Sequence, residues 1–530
     1  METFRRGFVY LFTSDGGPEN QFAARWVFLR FMGIIYFSAF FALLFQVRGL
    51  IGTQGILPAS DYLQALHPYG VLRFWYAPSL AWISSSDSAL MAICWVGLLS
   101  SICVLLNLLP RISLLLCFLC FLSFIGVSQE FGQYQSDGML LEAGFLALFI
   151  APAGLWPALG RAFKPIRAAI LLLLWEWFRI YFESGVVKLQ SGDPTWRNLT
   201  AMYEYYQNGP LPTWIGWYLQ HLPHWFHIAT AAVTLAMELL FVWMAILSRR
   251  LRIVCFWMVT VWQAGVILTA NYAFLNYLVL ALGFLLLDDA YLLRFVPHRW
   301  RTGLIANPES IARHETPAPP AGSPLRRIPS LFSALALLWI TYATTAELIL
   351  ILWPSAPLPM APITALEPFR IANQYGLFAT MTPHRYEIEF QGSDDAQTWT
   401  PYSFRYKPQD PSERPGIYAP YQPRFDWNLW FASLEDWQES PMVPLTEERL
   451  LENSKPVLSL FRRNPFPNRP PRYVRAVLWQ YWFSTPQQKR TTGVWWQRQL
   501  LGTFAPTVER LPDGAFAQVA PPELSGPPAD

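Results

Sequence analysis

Charge in this chain sits where it is least expected. In the run WEWFRIYFESGVVKL, Glu176, Arg179 and Glu183 recur at i, i+3 and i+7, one stripe of a helix. Lys188 closes the run, three residues after Gly185, and is followed by Gly192-Asp193-Pro194-Thr195-Trp196-Arg197, where the helix must give way to a loop. Upstream, QSDGMLLEAGFL carries Asp137 and Glu142, and further along Glu238 interrupts another apolar run. An ionisable group inside a membrane span costs at least a few kcal/mol, so it either pairs to lock helices together or does chemistry. The chemistry open to these groups is proton transfer. A lysine held by apolar neighbours is a candidate general base, which makes Lys188 the catalytic candidate. Glu183, Asp193 and Glu142 are the carboxylates that would tune or orient it. Gly185, Pro194, Trp196 and Arg197 complete the motif as structural residues.

Other chemistries find less support. His221, His224 and His227 (QHLPHWFH) are spaced like metal ligands on a helix turn, but Pro223 interrupts that turn and no carboxylate or cysteine sits beside them. We assign no metal and no cofactor. No Gly-rich phosphate loop, GxSxG elbow or HExxH motif is present. Cys94, Cys103, Cys117, Cys120 and Cys255 all lie in apolar runs, so even the Cys117–Cys120 pair reads as core rather than as a redox or zinc site.

The elements that position these residues follow from hydropathy. Hydrophobic residues make up 53% of the 530 and charged ones 14%, about half the charge of a soluble domain. The net charge of +3 and the lack of a basic run interleaved with aromatics give no reason to expect a nucleic acid partner. A helix needs about 20 apolar residues to cross the hydrocarbon core. Nine candidate spans result: Trp26 to Phe45, Ala89 to Leu109, Ile112 to Val127, Met139 to Leu155, Ile166 to Val187, Phe226 to Leu247, Leu251 to Ala270, Phe274 to Leu287 and Leu331 to Trp353. With nine spans, Arg5 and Arg6, Arg111, the Arg161–Arg167 group, the Arg249–Arg252 group and the run from Arg294 through Arg299, Arg301 and Arg313 to Arg327 all fall on one side. The excess of Lys and Arg makes that side the cytoplasm. No small-residue cleavage site follows the N-terminal arginines, so the first span reads as an uncleaved anchor.

Residues 1–353 therefore predict a polytopic α-helical membrane bundle, about nine transmembrane helices with a cytoplasmic N-terminus. Residues 354–512 predict a soluble, mostly β, sandwich-like extracytoplasmic domain that opens with the Pro-rich linker WPSAPLPMAP. Period-two alternation in RYEIEFQG and the strand formers of TWTPYSFRY and YVRAVLWQYWFS supply its strands. Helices are expected around 426–434 and 447–461. Residues 513–530, rich in Pro, Ala and Gly, read as a disordered tail.

Two stretches closely resemble the lipase maturation factor family: GVVKLQSGDPTWRNLTAMYEYYQNGPLPTWIGWYLQHLPHWFH, and the region from YGLFATMTPHRYEIEF to RFDWNLWFASL. LLEAGFL fits the same pattern. The resemblance implies a polytopic membrane protein that helps secreted lipases reach active form. It implies membrane lipids and a secreted or lipid-linked client as partners, possible contacts to that client being Arg405, Tyr406, Lys407, Pro408, Arg424, Asp426 and Trp427. These residues would contact the client or shape the outer domain; the alternative is that the tyrosine, tryptophan and proline among them simply form the domain's core. With no exposed cysteine and no ER retention tail, the chain reads as a bacterial inner-membrane member with its outer domain in the periplasm, or an ER membrane protein if eukaryotic. More distantly, GVVKL with Asp193 and Trp196 resembles the transmembrane domain of vitamin K-dependent γ-glutamyl carboxylases. In those enzymes a lysine matching Lys188 is the base, while Val187 stands where they carry a second lysine. That likeness implies a membrane enzyme acting on a quinone, lipid or protein.

Overall fold

The computed structural model describes residues 2–297 and 324–525. Arg299, Arg301 and Arg313 of the charge argument lie outside the described residues, as do positions 526–530 of the tail.

After an N-terminal helix, Glu2–Phe12, we label the helices that build the bundle and cover the sheet α1 (Phe22–Ile51), α2 (Asp87–Leu105), α3 (Pro110–Ile125), α4 (Gln135–Ala147), α5 (Arg167–Gln190), α6 (His224–Leu239), α7 (Arg249–Thr269), α8 (Leu275–Gly283), α9 (Pro324–Leu352), α10 (Arg424–Ala432) and α11 (Met442–Leu451). Five described stretches are long and apolar enough to cross a membrane: Phe22–Ile51, Asp87–Leu105, His224–Ile246, Arg249–Thr269 and Leu331–Leu352. Pro110–Ile125 and Leu275–Leu286 are apolar but shorter. α4 begins at Gln135 and ends at Ala147, earlier at both ends than hydropathy suggests, because Ile150 to Pro152 leave the helix for a turn. α6 gives way after Leu239 to a 3₁₀ segment, Phe241–Ile246.

α1 is the longest element among the described residues. At 1.5 Å per residue its 30 residues span about 45 Å, more than the hydrocarbon core needs. Its excess length meets the outer domain. Gln46 Nε2 donates to Gln422 O (2.9 Å), and its Oε1 accepts from the Arg424 amide (2.7 Å). Gly49 lies against Pro456 and Leu460, where a Cβ would come within 2.6 Å of a backbone oxygen. Beyond the helix, Gln54 O and Gly55 O accept from Ser454 Oγ and Arg449 Nε.

The outer domain is built on one antiparallel sheet of seven strands: β1 (Arg385–Ser393), β2 (Thr400–Pro401), β3 (Tyr473–Phe483), β4 (Trp496–Thr503), β5 (Thr507–Arg510), β6 (Phe516–Ala520) and β7 (Glu523–Leu524). The order is β2-β1-β3-β4-β7, with β5 beside the start of β3 and β6 beside β5. β1 pairs with β3 without a break, Arg385 opposite Tyr481 through Ser393 opposite Tyr473. This corrects the sandwich expectation among the described residues: α10 and α11 supply the cover a second sheet would give, α10 packing on β1 and α11 on β3 and β5. β1 is buried along nearly its whole length, so its charged residues are internal. The strand expected over TWTPYSFRY reduces to Thr400–Pro401. The helix expected over 447–461 breaks where Asn453 takes a left-handed conformation (φ 56°), a geometry asparagine tolerates. The tail expected to be disordered from Asp513 instead adds β6 and β7 to the sheet.

Bundle and outer domain share a continuous apolar core, running from Phe28 and Tyr36 through Phe124 and Tyr375 to Phe425 and Phe461. Arg424, the first residue of α10, crosses between them. Its Nη1 and Nη2 meet Asp137 Oδ2 and Oδ1 of α4 at 2.7 Å each, Nη1 also donates to Phe131 O (2.6 Å), and both partners are essentially inaccessible. A bidentate pair of this kind is directional as well as strong. Removing one partner of a buried pair strands the other charge, at a cost of about 3–5 kcal/mol. Thermal unfolding of the full chain in detergent is expected to show Arg424→Met strongly destabilised. Arg424→Met combined with Asp137→Leu is expected to regain more than half of the loss.

Candidate functional site

Between α9 and β1 the chain returns to the bundle as an extended segment, residues 371–384, laid along α5. It forms no regular secondary structure, so its backbone groups need partners supplied by side chains. Those partners are the residues that sequence pattern marks as chemical. Glu142 Oε2 accepts from the Asn373 amide (3.0 Å), Asn373 Nδ2 (3.1 Å) and the Tyr375 hydroxyl (2.9 Å). Arg179 Nη1 donates to Asn373 O (2.5 Å), while its other nitrogen forms a short ion pair with Glu142 Oε1. Glu183 Oε2 accepts from the Tyr375 amide (2.8 Å), and its Oε1 lies 3.8 Å from Arg179. Ser184 Oγ takes the Leu377 amide (3.3 Å). Lys188 Nζ donates to Leu377 O (2.8 Å) and pairs with Glu238 Oε1 of α6 (2.9 Å). Trp196 Nε1 donates to Phe378 O (3.0 Å), and Asp193 Oδ2 accepts from the Met381 amide (2.7 Å).

Successive groups of the strap are thus matched, residue by residue, by α4, α5 and the turn after α5. The spacing explains the sequence. Glu183 and Lys188 are five residues apart on α5, and their strap partners Tyr375 and Leu377 are two apart. At about 1.5 Å per helical residue against about 3.3 Å per extended one, these are similar lengths. Gly185 gives the clearance on the other side: a Cβ there would sit 2.8 Å from Leu239 and 2.9 Å from Glu238 Cβ, so α6 can bring Glu238 up to Lys188 only against glycine. Pro194 opens the short helix Pro194–Arg197, capped by Asp193 Oδ1 on the Thr195 amide (2.8 Å). Burial raises the Asp193 carboxyl, but the Met381 and Thr195 amides outweigh it and hold the group below its ordinary range. Arg197 ties the turn back through Leu189 O. Glu176 lies buried about one turn below Arg179.

The residues expected to face a client divide in two. Lys407, Arg424, Asp426 and Trp427 are buried and have no surface to offer a partner. Lys407 Nζ pairs with Glu387 Oε2 of β1 (2.8 Å), and Glu387 forms a short pair with Arg385, whose guanidinium caps the carbonyls of Gln207, Gly209 and Pro210. Asp426 Oδ1 accepts from the amides of Tyr406 (3.1 Å) and Lys407 (3.2 Å), fixing the turn that carries them. Trp427 packs on Tyr134. Arg405 is exposed, and Tyr406 and Pro408 are half-exposed. The three histidines hold local contacts: His221 with Trp217 O, His227 with Leu222 O, and His224 tilted against the Tyr203 ring. No group of three His, Cys, Asp or Glu residues among the described ones could hold a metal ion.

Several carriers of this seam bear no formal charge. Asn373 and Tyr375 are two. Asn271, at the end of α7, is another: its Nδ2 donates to Leu211 O and Gly416 O (3.0 Å each) and its Oδ1 accepts from the Tyr418 and Ala419 amides (2.6 and 3.1 Å). An asparagine inside an apolar run such as LTANYAFLNYL is itself a signal, since an unpaired amide there costs several kcal/mol.

Two outcomes follow. Lys188→Met is expected to destabilise the chain by about 3–5 kcal/mol, because Glu238 is left buried and alone. Lys188→Met with Glu238→Leu is expected to regain more than half of that in thermal unfolding. Asp426 gives the second. Burial raises its carboxyl, the Tyr406 and Lys407 amides and the Lys407 charge pull it down, and the balance stands at about 6. An unfolded aspartate titrates near 3.9, so folding favours the protonated form. This contribution is fully present below pH ~4, declines as pH rises through about 6, and is absent above it; two units correspond to about 3 kcal/mol. Unfolding scans from pH 4 to 8 are expected to show a steeper fall in stability for wild type than for Asp426→Asn.

Comparison with known proteins agrees with the architecture. Residues 23–294 match the family model described as lipase maturation factor transmembrane domain, and residues 371–506 match the lipase maturation factor C-terminal domain. The second match begins where the strap begins. The chain is 32% identical to lipase maturation factor 2 of Gallus gallus, over 95% of this chain and 84% of that protein. It is 30% identical to lipase maturation factor 1 of Bos taurus (92% of this chain, 89% of that one) and to lipase maturation factor 1 of Homo sapiens (91% and 87%). No solved structure matches. Matched in both its membrane and its outer regions, the chain belongs to the lipase maturation factor family.

Proposed function

We propose that this chain is a membrane-anchored maturation factor whose outer domain receives a secreted client, a lipase being the class its relatives' names indicate. One observation carries this reading beyond the family name: the four groups that the sequence marks as base or orienting carboxylate, Lys188, Glu183, Glu142 and Asp193, are each bonded to the strap. Lys188 is bound by Leu377 O and Glu238, Glu183 and Glu142 by Tyr375 and Asn373, and Asp193 by Met381. A general base needs a free lone pair facing substrate, and an ammonium donating to a carbonyl and a carboxylate is a strut.

The client surface in this reading is the exposed rim of the turn at Arg405, Tyr406 and Pro408, which borders a shallow groove with Arg414 and Arg462. The buried members of the same motif hold that rim in place. The bundle crosses the membrane nine times, with α4 and α5 as charged internal spans beside the apolar ones. Its N-terminus is cytoplasmic and its outer domain lies on the opposite side, in a periplasm or an ER lumen.

Co-expression with a secreted lipase tests the function. Arg405→Glu with Arg414→Glu is expected to lower secreted lipase activity at least fivefold at unchanged membrane-protein level, while Lys188→Met/Glu238→Leu supports near wild-type activity. The reverse pattern would make the chain an enzyme. For topology, a cysteine placed at exposed Gln487 is expected to react with an impermeant maleimide from the outside of intact cells or the lumen of sealed microsomes, and one at Arg250 is expected to be protected; equal reaction would refute the span count.

A further inference from the structure

Behind the strap lies a cavity of about 220 Å³ that the strap itself does not fill. In a protein interior, roughly 150 Å³ is enough to take benzene. Its walls are largely apolar and aromatic, including Tyr272, Phe378 and Val279. One side is closed by groups that satisfy one another: Gln263 Nε2 donates to the Tyr181 hydroxyl (2.8 Å), and Asn276 Nδ2 donates to Gln263 Oε1 (2.5 Å). The opposite edge carries the Lys188–Glu238 pair. There the balance is incomplete. Glu238 is 5% exposed and lines the cavity, and its second oxygen, Oε2, is buried without a hydrogen-bond partner. A buried carboxylate oxygen left unmatched is costly, and it calls for a donor.

The mouth lies between α6 and α7. Phe226 and Thr230 on the first helix, and Trp262 and Val266 on the second, line the cavity while remaining partly exposed. Gly265, exposed at the rim, faces open space: a Cβ there would meet nothing within 4 Å. Both helices belong to stretches apolar enough to cross a membrane, so an opening between them is within reach of acyl chains.

We propose that the cavity binds a neutral lipid with a free hydroxyl, a monoacylglycerol in its simplest form. The hydroxyl donates to Glu238 Oε2, and the chain leaves between α6 and α7 into the bilayer. The Lys188–Glu238 pair is neutral as a unit, so a charged head would bring an uncompensated charge into the same apolar edge, which disfavours fatty acids and lysophospholipids. This site is separate from the client rim and stands whether or not the chain serves a lipase.

The test uses the full chain in phosphatidylcholine nanodiscs containing a monoacylglycerol with a diazirine in its acyl chain. After irradiation, labelled peptides are mapped and competitors added. Label is expected on cavity-lining positions of α6 and α7. Unlabelled 1-oleoylglycerol is expected to compete at least tenfold better than methyl oleate, which lacks a donor, or lysophosphatidate, which is charged. Gly265→Trp, a substitution at an open position with no packing to disturb, is expected to reduce labelling at least fivefold, with an unchanged unfolding temperature confirming the fold. Label spread evenly over lipid-facing helices and indifferent to Gly265→Trp overturns the site. Equal competition by methyl oleate or lysophosphatidate overturns the assignment of its ligand.

Discussion

An extended backbone pressed against a membrane bundle has to find a partner for each polar group that water cannot reach. That constraint governs the seam of this protein. The strap from residue 371 to 384 has neither a helix's internal hydrogen bonds nor a sheet neighbour. Its amides at 373, 375, 377 and 381 and its carbonyls at 373, 377 and 378 are matched by Glu142, Arg179, Glu183, Ser184, Lys188, Asp193 and Trp196. The charges are tolerated in an apolar setting because they are paired and hydrogen-bonded, and the strap is tolerated because the charges are there.

The rest of the architecture follows from this clasp. The strap delivers the chain directly into β1, which pairs along its whole length with the central strand β3, and Arg385 at its start is anchored on the carbonyls of Gln207, Gly209 and Pro210. A second tether, Arg424 on Asp137, fixes α10 over the other side of the seam. A third joins α1 and the turn after it to α11 and its neighbours. Glycine appears where these joints need backbone to approach. Gly185 admits Glu238 to Lys188, and at Gly138 a Cβ would sit 2.6 Å from Asn373 Oδ1. The exposed rim at Arg405, Tyr406 and Pro408 is thereby held from beneath by buried ion pairs, a use in which such pairs contribute geometry as much as stability.

What sequence alone could read follows the range of the interactions. Hydropathy located the apolar helices, period-two alternation located β1, and a run of strand formers located β3, because these patterns are local. The stripe of Glu176, Arg179 and Glu183 was equally legible as unusual. Its purpose was not, because Glu142 and Tyr375 meet across 233 positions and no periodicity links them. Distance likewise hid the burial of Arg424, whose partner Asp137 lies 287 positions away, and even at about 20 positions the partners of Lys407 and Asp426 follow no periodicity: polar residues in a soluble segment look exposed until the partner that buries them is known. Only ionisable residues were weighed as costly, which passed over Asn271 and Asn373, although an amide in a dry setting has the same need for partners. The tail looked disordered from its Pro and Gly content, yet FAQVA is a sufficient strand once β5 offers an edge.

The most direct measurement of this account is hydrogen exchange over the strap in the folded, lipid-embedded protein. If side chains of α4 and α5 hold its backbone, peptides covering residues 371–384 exchange as slowly as those of β3. Glu183→Gln, which weakens the acceptor of the Tyr375 amide, then accelerates exchange there before it does in the sheet. Exchange over this segment as fast as in an exposed loop, with β3 still protected, would contradict the central claim and return Lys188 and its neighbours to the list of groups free for chemistry.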